Sequence, residues 1–153
     1  MKKLLFCLCL FGLLNCSGYE PIFATKNLTF GIEEIININN DDITKKISKN
    51  LRKNISSKNN KKNYTLEISA NKKNEITSKD TNGNALTFEM SVNAEVKIYY
   101  NNDDNPIETL KVNNNFSYNN QESKFDLSEY KKTIEENIIK KISQNIIVKL
   151  QLL

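Results

Sequence analysis

The feature of this sequence that most constrains its fold is a long alternation of apolar and polar side chains between Leu86 and Tyr100. Every second residue is apolar or aromatic, and the intervening residues as far as Lys97 are polar. Because successive side chains of a strand point to opposite faces, the pattern predicts a β-strand with one buried and one polar face. Such one-sided strands are typical of antiparallel sheets, and at about 3.4 Å per residue this one would reach roughly 50 Å.

A first strand is predicted earlier in the chain, over residues 28–38, which are rich in Ile and Phe. The pair Glu33-Glu34 interrupts its alternation, which indicates a β-bulge at that point. The apolar residues expected to share one face of this strand are Phe30, Ile32, Ile36 and Ile38.

Two further segments alternate in the same way and complete a four-stranded sheet. Residues 64–70 predict a half-buried strand, and residues 110–118 predict the return strand of a hairpin after a turn at 101–106. The polar stretch 71–84 predicts a long loop that turns at Asn82-Gly83, with continuation of the strand through Ile76 as the alternative. The apolar residues of these two strands are Tyr64, Leu66, Ile68, Ala70, Leu110, Val112, Phe116 and Tyr118.

Two segments with apolar residues at four-residue spacing predict amphipathic helices. The first follows a turn in which Asp41 or Asp42 can cap the helix N-terminus, and its many basic residues are expected to face solvent, with contact to anionic lipid as the alternative. The second is about 35 Å long and begins at a capping box over 126–129. The stripes consist of Ile43, Ile47, Leu51 and Ile55 in the first helix and Leu127, Tyr130, Ile134, Ile138, Ile139, Ile142, Ile146 and Leu150 in the second.

The predicted elements follow one another in the order β-α-β-β-β-α. Two helices with single apolar stripes and a sheet with a single apolar face can bury each other's apolar surface. The sequence therefore predicts an α+β fold, a two-layer sandwich in which two helices pack on a four-stranded, largely antiparallel sheet. This single domain is expected to span residues 28–153, and its other sheet face remains free for solvent or a partner.

The N-terminus predicts an exported lipoprotein. Two lysines precede a short apolar run over 4–14, which is too short to span a bilayer and is typical of a secretory signal. The segment around Leu13 and Cys16 resembles a lipobox, although Asn15 stands where Gly, Ala or Ser is usual. We therefore expect a signal peptide over 1–15, acylation of Cys16 and a lipidated tether over 16–27. By analogy with other lipoproteins, Ser17 favours the outer membrane.

The composition argues against catalysis and against nucleic acid as a partner. The chain has no His, and once Cys16 is acylated the mature part has no free Cys, so the commonest general base, zinc ligands and Cys nucleophile are missing. Without the two signal lysines the net charge is about +2, too weak for a phosphate-binding surface of the nucleic-acid type. Asp103-Asp104 is interpreted as a turn and not as a calcium site. We expect no enzyme, no metal and no cofactor besides the lipid.

Several short motifs, taken in order, resemble one family. The segment Cys16-Ser17-Gly18-Tyr19-Glu20-Pro21-Ile22-Phe23 is similar to a Cys-Gly-Phe/Tyr-x-Pro-Leu/Ile-Phe/Tyr opening, with Ser17 inserted. The strand that begins at Tyr64 and the Ser117-Tyr118 ending before the terminal helix also fit. Together these segments cover nearly the whole mature chain. The sequence resembles the lipopolysaccharide-assembly lipoprotein family, LptE, in its alphaproteobacterial form.

The resemblance implies a lipoprotein on the periplasmic side of the outer membrane. Its members plug and help assemble a large β-barrel, LptD, and the pair delivers lipopolysaccharide to the cell surface. Basic residues contact lipopolysaccharide in some members, and the candidates here are Lys72, Lys73 and Lys79, which could equally serve only to keep a loop soluble. Two alternatives are an auxiliary lipoprotein of an ABC-type lipid transporter and a small envelope hydrolase, of which the second lacks a recognisable nucleophile motif.

Overall fold

The computed structural model describes residues 28–54, 62–100 and 103–153. The expected signal peptide, Cys16 with its tether, and Ile55 lie outside the described residues. The elements within them follow the expected order β-α-β-β-β-α, and they form a four-stranded sheet with two helices. Their bounds are β1 (Phe30–Asn37), α1 (Asp42–Asn54), β2 (Lys62–Lys79), β3 (Ala85–Tyr100), β4 (Glu108–Asn119) and α2 (Lys124–Leu152).

The α+β fold class is confirmed, and the sheet is mixed. Its strand order is β1-β2-β3-β4, with β2 antiparallel to β3 and β3 antiparallel to β4. The pairing of β1 with β2 is parallel, because α1 carries the chain back across the sheet between them. The helix α1 packs on β1 and β2, whereas α2 packs on β3 and β4. Both helices therefore cover the same face of the sheet.

The expected bulge in β1 is present, and it changes which residues are buried. The register with β2 shifts between Ile32 and Glu34, so one extra residue enters the strand. A shift of one residue moves the side chains that follow to the opposite face. Ile35 is consequently buried at 6% exposure, whereas Ile36 and Ile38 are exposed. The expectation that Ile36 and Ile38 share the buried face of Phe30 and Ile32 was wrong for this reason.

The strand β2 is longer than expected, because it does not end at Ala70. Residues 71–79 continue the strand and pair with β3, so the prediction of a long loop over 71–84 was wrong in this part. The alternative of a continuation through Ile76 was correct but three residues short. The regular β3 supplies backbone partners along this length, and the extension needs no apolar face because its side chains stay exposed.

The β2–β3 hairpin closes at the expected Asn82-Gly83 turn. Gly83 has φ +87°, a conformation that side chains other than Gly seldom adopt. The carboxylate of Asp80 accepts hydrogen bonds from the backbone N–H groups of Asn82 and Asn84, at 2.9 and 2.8 Å. These bonds organise a tight turn at the end of the longest hairpin in the described chain.

The two helices are capped by side chains, and one cap differs from the prediction. Asp41 accepts a hydrogen bond from the backbone N–H of Ile43 at the start of α1, as expected. The helix α2 instead begins at Lys124 with Ser123 as its N-cap, whose hydroxyl accepts from the Asp126 N–H. The predicted capping box over 126–129 was therefore placed one turn too late. With 29 residues, α2 is about 44 Å long.

The core lies between the helices and one face of the sheet. Ile43, Ile47 and Leu51 of α1 are at most 1% exposed, which confirms the predicted stripe within the described helix. The central sheet residues and the α2 stripe from Ile134 to Leu150 complete a single apolar cluster. Its fully covered members include Leu66, Ile68, Val92, Val96, Ile98, Ile142 and Ile146. Tyr130 of the predicted stripe and Phe116 of the predicted strand face are instead exposed, at 37% and 46%. Among the described residues, no helix combines the length and apolar character needed to cross a bilayer.

Candidate functional site

The three candidate lysines lie on the distal half of β2, and they do not form one site. Alternation along the strand sends Lys72 to the helix-covered face and Lys73 to the open face. Lys73 forms an ion pair with Glu75 at 2.6 Å. Lys79 ends the strand beside the hairpin turn, where the register with β3 is irregular. All three were expected in a long polar loop, with continuation of the strand through Ile76 as the alternative, whereas the observed strand separates Lys72 and Lys73 by face.

Lys72 belongs to an ion cluster that joins α1, α2 and β2. The carboxylate of Glu135 binds Lys46 through one oxygen at 2.6 Å and Lys72 through the other. Lys46 also pairs with Asp42 at 2.6 Å, one helical turn earlier in α1. The Glu135 side chain is only 10% exposed, so this charge is paired where water has little access. No sequence pattern predicted the cluster, because its members are far apart along the chain.

The pKa values in this cluster reflect the pairing. Burial by itself raises the pKa of Glu135, but hydrogen bonds from Lys46 and Lys72 outweigh burial and hold the pKa below its ordinary 4.5. The pKa of Lys46 is raised by its hydrogen bonds to Asp42 and Glu135. Both shifts favour the charged forms of Glu135 and Lys46.

A groove of about 560 Å³ runs between α1 and α2 directly beside this cluster. Lysines outnumber acidic residues along it, and the apolar side chain of Ile139 contributes to its lining. Its residues are Lys46, Lys49, Asn50 and Lys53 of α1 and Lys132, Glu135, Glu136, Asn137, Ile139 and Lys140 of α2. The basic residues of the first helix were expected to face solvent, with contact to anionic lipid as the alternative, and the packing of α2 beside them could not be read from the sequence.

The face of the sheet opposite the helices is a polar surface. Side chains from neighbouring strands bond across it, with Asn113 donating to Asn93 and Asn93 donating to Asn71. Tyr99 donates its hydroxyl to Glu67 at 2.9 Å, which raises the pKa of that hydroxyl. A depression of about 430 Å³ lies near the centre of this face. The face matches the predicted polar side of the sheet, and beside its amides and hydroxyls it carries the ion pairs Lys97–Glu67 and Lys111–Glu95.

Apolar side chains are exposed at the distal end of the sheet, beyond the cover of the helices. Ile76 and Leu86 are 50% and 48% exposed, and the half-buried ring of Phe88 lies beside them. The ammonium of Lys131 lies 5.1 Å from the centre of the Phe88 ring, within cation–π range. Leu86 and Phe88 continue the apolar alternation of the core strand, so their position at the distal end could not be read from the sequence.

Chemistry-bearing side chains are sparse in the described chain. Over 28–54, 62–100 and 103–153, no three His, Cys, Asp or Glu residues are grouped closely enough to hold a metal ion. Asp103 and Asp104 lie exposed in the segment before β4.

The sequence matches no protein-family model and no curated protein. Solved structures share its fold. A rare lipoprotein B from Shewanella oneidensis superposes with a TM-score of 0.57 at 13% identity, covering 78% of this chain and 92% of that chain. A minor lipoprotein from Acinetobacter baumannii gives 0.55 at 13% identity, covering 82% and 92%. Lipoprotein B from Nitrosomonas europaea, described as uncharacterised, gives 0.53 at 9% identity, covering 85% and 88%. At these identities the likeness shows a common fold.

Proposed function

We propose that this chain is an outer-membrane lipoprotein that plugs and helps assemble an LptD-like β-barrel and takes part in lipopolysaccharide transport to the cell surface. The observation that carries the proposal is the agreement between two independent features. The lipobox-like segment at Cys16 predicts a lipid anchor, and the fold of the domain is one found in solved lipoproteins. Neither feature depends on the other, since the domain begins after the anchor segment.

The open sheet face supports the plug role. The lumen of a large outer-membrane barrel is polar, so a domain inside it must present polar groups over a wide area. The face with Asn71, Asn93 and Asn113 presents amides that can each donate and accept hydrogen bonds. We propose that this face contacts the lumen wall. Contact with the lumen wall requires that the polar groups of the two surfaces match, and it requires no catalytic residue, in keeping with the absence of His from the chain.

The lipid anchor would keep the plug close to its barrel. The 12 residues of 16–27 can span at most about 40 Å when fully extended. A tether of that length holds the domain at the membrane that bears the acyl chains, which raises its effective concentration near an integral partner. Among the lipopolysaccharide candidates, Lys73 and Lys79 are the more accessible. The Lys72 side chain is 32% exposed and bound to the buried Glu135, whereas that of Lys73 is 66% exposed and bound to the exposed Glu75.

Affinity purification from the native outer membrane tests the proposal. The tagged full-length chain, extracted in mild detergent, should recover a large β-barrel protein in near-equal amount. A Cys16→Ser variant is the control, because it removes the anchor while leaving the domain unchanged, and recovery should fall with it. Recovery of an ABC permease in place of a barrel would overturn the proposal in favour of a transporter-associated lipoprotein.

A further inference from the structure

We propose that the groove between α1 and α2 binds a phosphate-bearing anion. This inference does not require a barrel partner, since it rests on the charges and packing of the two helices alone. Five of the ten residues that line the groove are lysines and two are glutamates, which leaves an excess of three positive charges in one depression. The whole chain after the signal has a net charge of only about +2. The groove therefore has a local excess of positive charge, although other basic residues lie elsewhere on the chain, as around a second depression lined by Lys45 and Arg52.

The acidic residues of the groove do not neutralise this excess. Glu135 already binds Lys46 and Lys72, one through each carboxylate oxygen. Among the described residues, no carboxylate lies within ion-pairing distance of Lys49, Lys53, Lys132 or Lys140. The side chains of these four lysines line the groove without an acidic partner among the described residues, and only Glu136 offers a further negative charge there. Lys49 and Lys53 also border a second depression on α1.

The lysines stand on both walls of the groove. On α1, Lys49 and Lys53 are one helical turn apart, so their charges repel each other on the same face. On α2, Lys132 and Lys140 are separated by two turns, or about 12 Å along the helix. An anion between the walls would contact ammonium groups from both helices and relieve that repulsion. A group with several oxygens and more than one negative charge, such as a phosphate ester, fits this arrangement best.

Titration of the purified Cys16→Ser variant, which carries no acyl chains, tests the proposal. Pyrophosphate is the soluble probe, measured by calorimetry. Vesicles of phosphatidylglycerol in phosphatidylcholine, free of detergent, are the membrane probe, and their binding is measured by flotation against vesicles of phosphatidylcholine alone, because acyl chains at Cys16 would insert into either kind of vesicle. Binding of pyrophosphate alone would assign a soluble phosphate compound, and binding of the vesicles alone would assign a lipid headgroup. Either result supports the groove as a phosphate site, provided that the variants below respond as expected.

The decisive comparison uses two double variants of the same helix. Lys132→Gln with Lys140→Gln removes both ammonium groups from the α2 wall of the groove. We expect this double variant to bind pyrophosphate or the vesicles, whichever the protein binds, at least about tenfold more weakly. Lys124→Gln with Lys141→Gln removes two exposed lysines outside the groove, and it should change affinity by less than about twofold. Lys49→Gln with Lys53→Gln tests the opposite wall and should repeat the large loss.

Two results would overturn the proposal. One is an equal loss of affinity in the groove and control variants, which would indicate attraction by overall charge. The other is the absence of binding of both pyrophosphate and phosphatidylglycerol vesicles to the Cys16→Ser protein with all its lysines intact. All four lysines substituted on α2 are exposed, so the variants should fold, and far-ultraviolet circular dichroism verifies this.

Discussion

The carboxylate of Glu135 on α2 binds the ammonium of Lys46 on α1 at 2.6 Å, across a sequence separation of 89 residues. The second oxygen of the same carboxylate binds Lys72 on β2, so one side chain connects both helices to the sheet. The helices are also held to the sheet by apolar packing and by polar contacts such as the hydrogen bond from the Thr44 hydroxyl to the Ala70 carbonyl. The ion cluster adds a polar contact between the two walls of the interhelical groove.

Replacing Glu135 by Gln should destabilise the fold. The substitution leaves Lys46 and Lys72 without their shared carboxylate, and we expect a loss of about 1–3 kcal/mol in the free energy of unfolding, the lower part of the range because Lys46 is half exposed. Urea denaturation measures this loss in the free energy of unfolding. The adjacent Glu136→Gln is the control, with a change within about 0.5 kcal/mol. Equal effects of the two substitutions would show that the cluster contributes nothing.

The same carboxylate predicts an acid-sensitive part of the stability. Because the pKa of Glu135 is lower in the folded protein than its ordinary 4.5, its contribution is fully present above about pH 5. That contribution is lost as the pH falls through the folded pKa. Denaturation curves between pH 7 and pH 3 should therefore show a steeper loss for the unaltered protein than for Glu135→Gln. Parallel pH profiles would contradict the lowered pKa.

Two of the candidate lysines should behave differently when replaced by Gln. Lys72→Gln removes a contact to Glu135, and it should lower the free energy of unfolding by about 1 kcal/mol. Lys79 lies at the exposed end of the strand, so Lys79→Gln should change the free energy of unfolding by less than about 0.5 kcal/mol. Thermal and urea denaturation compare them directly. A larger effect of Lys79→Gln would refute the structural role assigned to Lys72.

The two isoleucines of β2 that point to the same sheet face test how far the helices cover the strand. Ile68 is fully buried, so Ile68→Ala should cost about 2–5 kcal/mol through lost burial and the cavity left behind. Ile76 is 50% exposed, and Ile76→Ala should cost less than about 1 kcal/mol. Both values come from urea denaturation. Similar losses in the free energy of unfolding for the two variants would mean that Ile76 is buried in solution, contrary to the structure.

The sequence predicted those elements whose signals are local. The apolar alternation over β3 predicts one buried face of a strand, and the four-residue spacing around Ile47 and Ile142 predicts one buried face on each helix. The structure confirmed all three elements. The bulge in β1 was also foreseen from Glu33-Glu34. Its effect on Ile36 was not, because parity after a bulge depends on the register with β2, which is a tertiary property.

The candidate site was less accessible to sequence reasoning. Residues 71–79 contain few apolar side chains, so their continuation of β2 depends on hydrogen bonding to β3 and leaves no amphipathic signal. The pairing of Lys46 with Glu135 brings together residues from opposite halves of the chain. A groove between two helices can be predicted only when the packing of the helices is known. The spacing of the lysines on each helix, in contrast, can be read from the sequence.

Site-specific photo-crosslinking in the native envelope tests the proposed barrel partnership most directly. A photoreactive residue in place of Asn93, at the centre of the exposed polar face, should form a covalent adduct with a large outer-membrane β-barrel protein. Position 113, which neighbours it on β4, should give the same adduct. An adduct with an inner-membrane permease, or the lack of a barrel adduct from both positions, would contradict the proposal that this domain is the plug of a barrel.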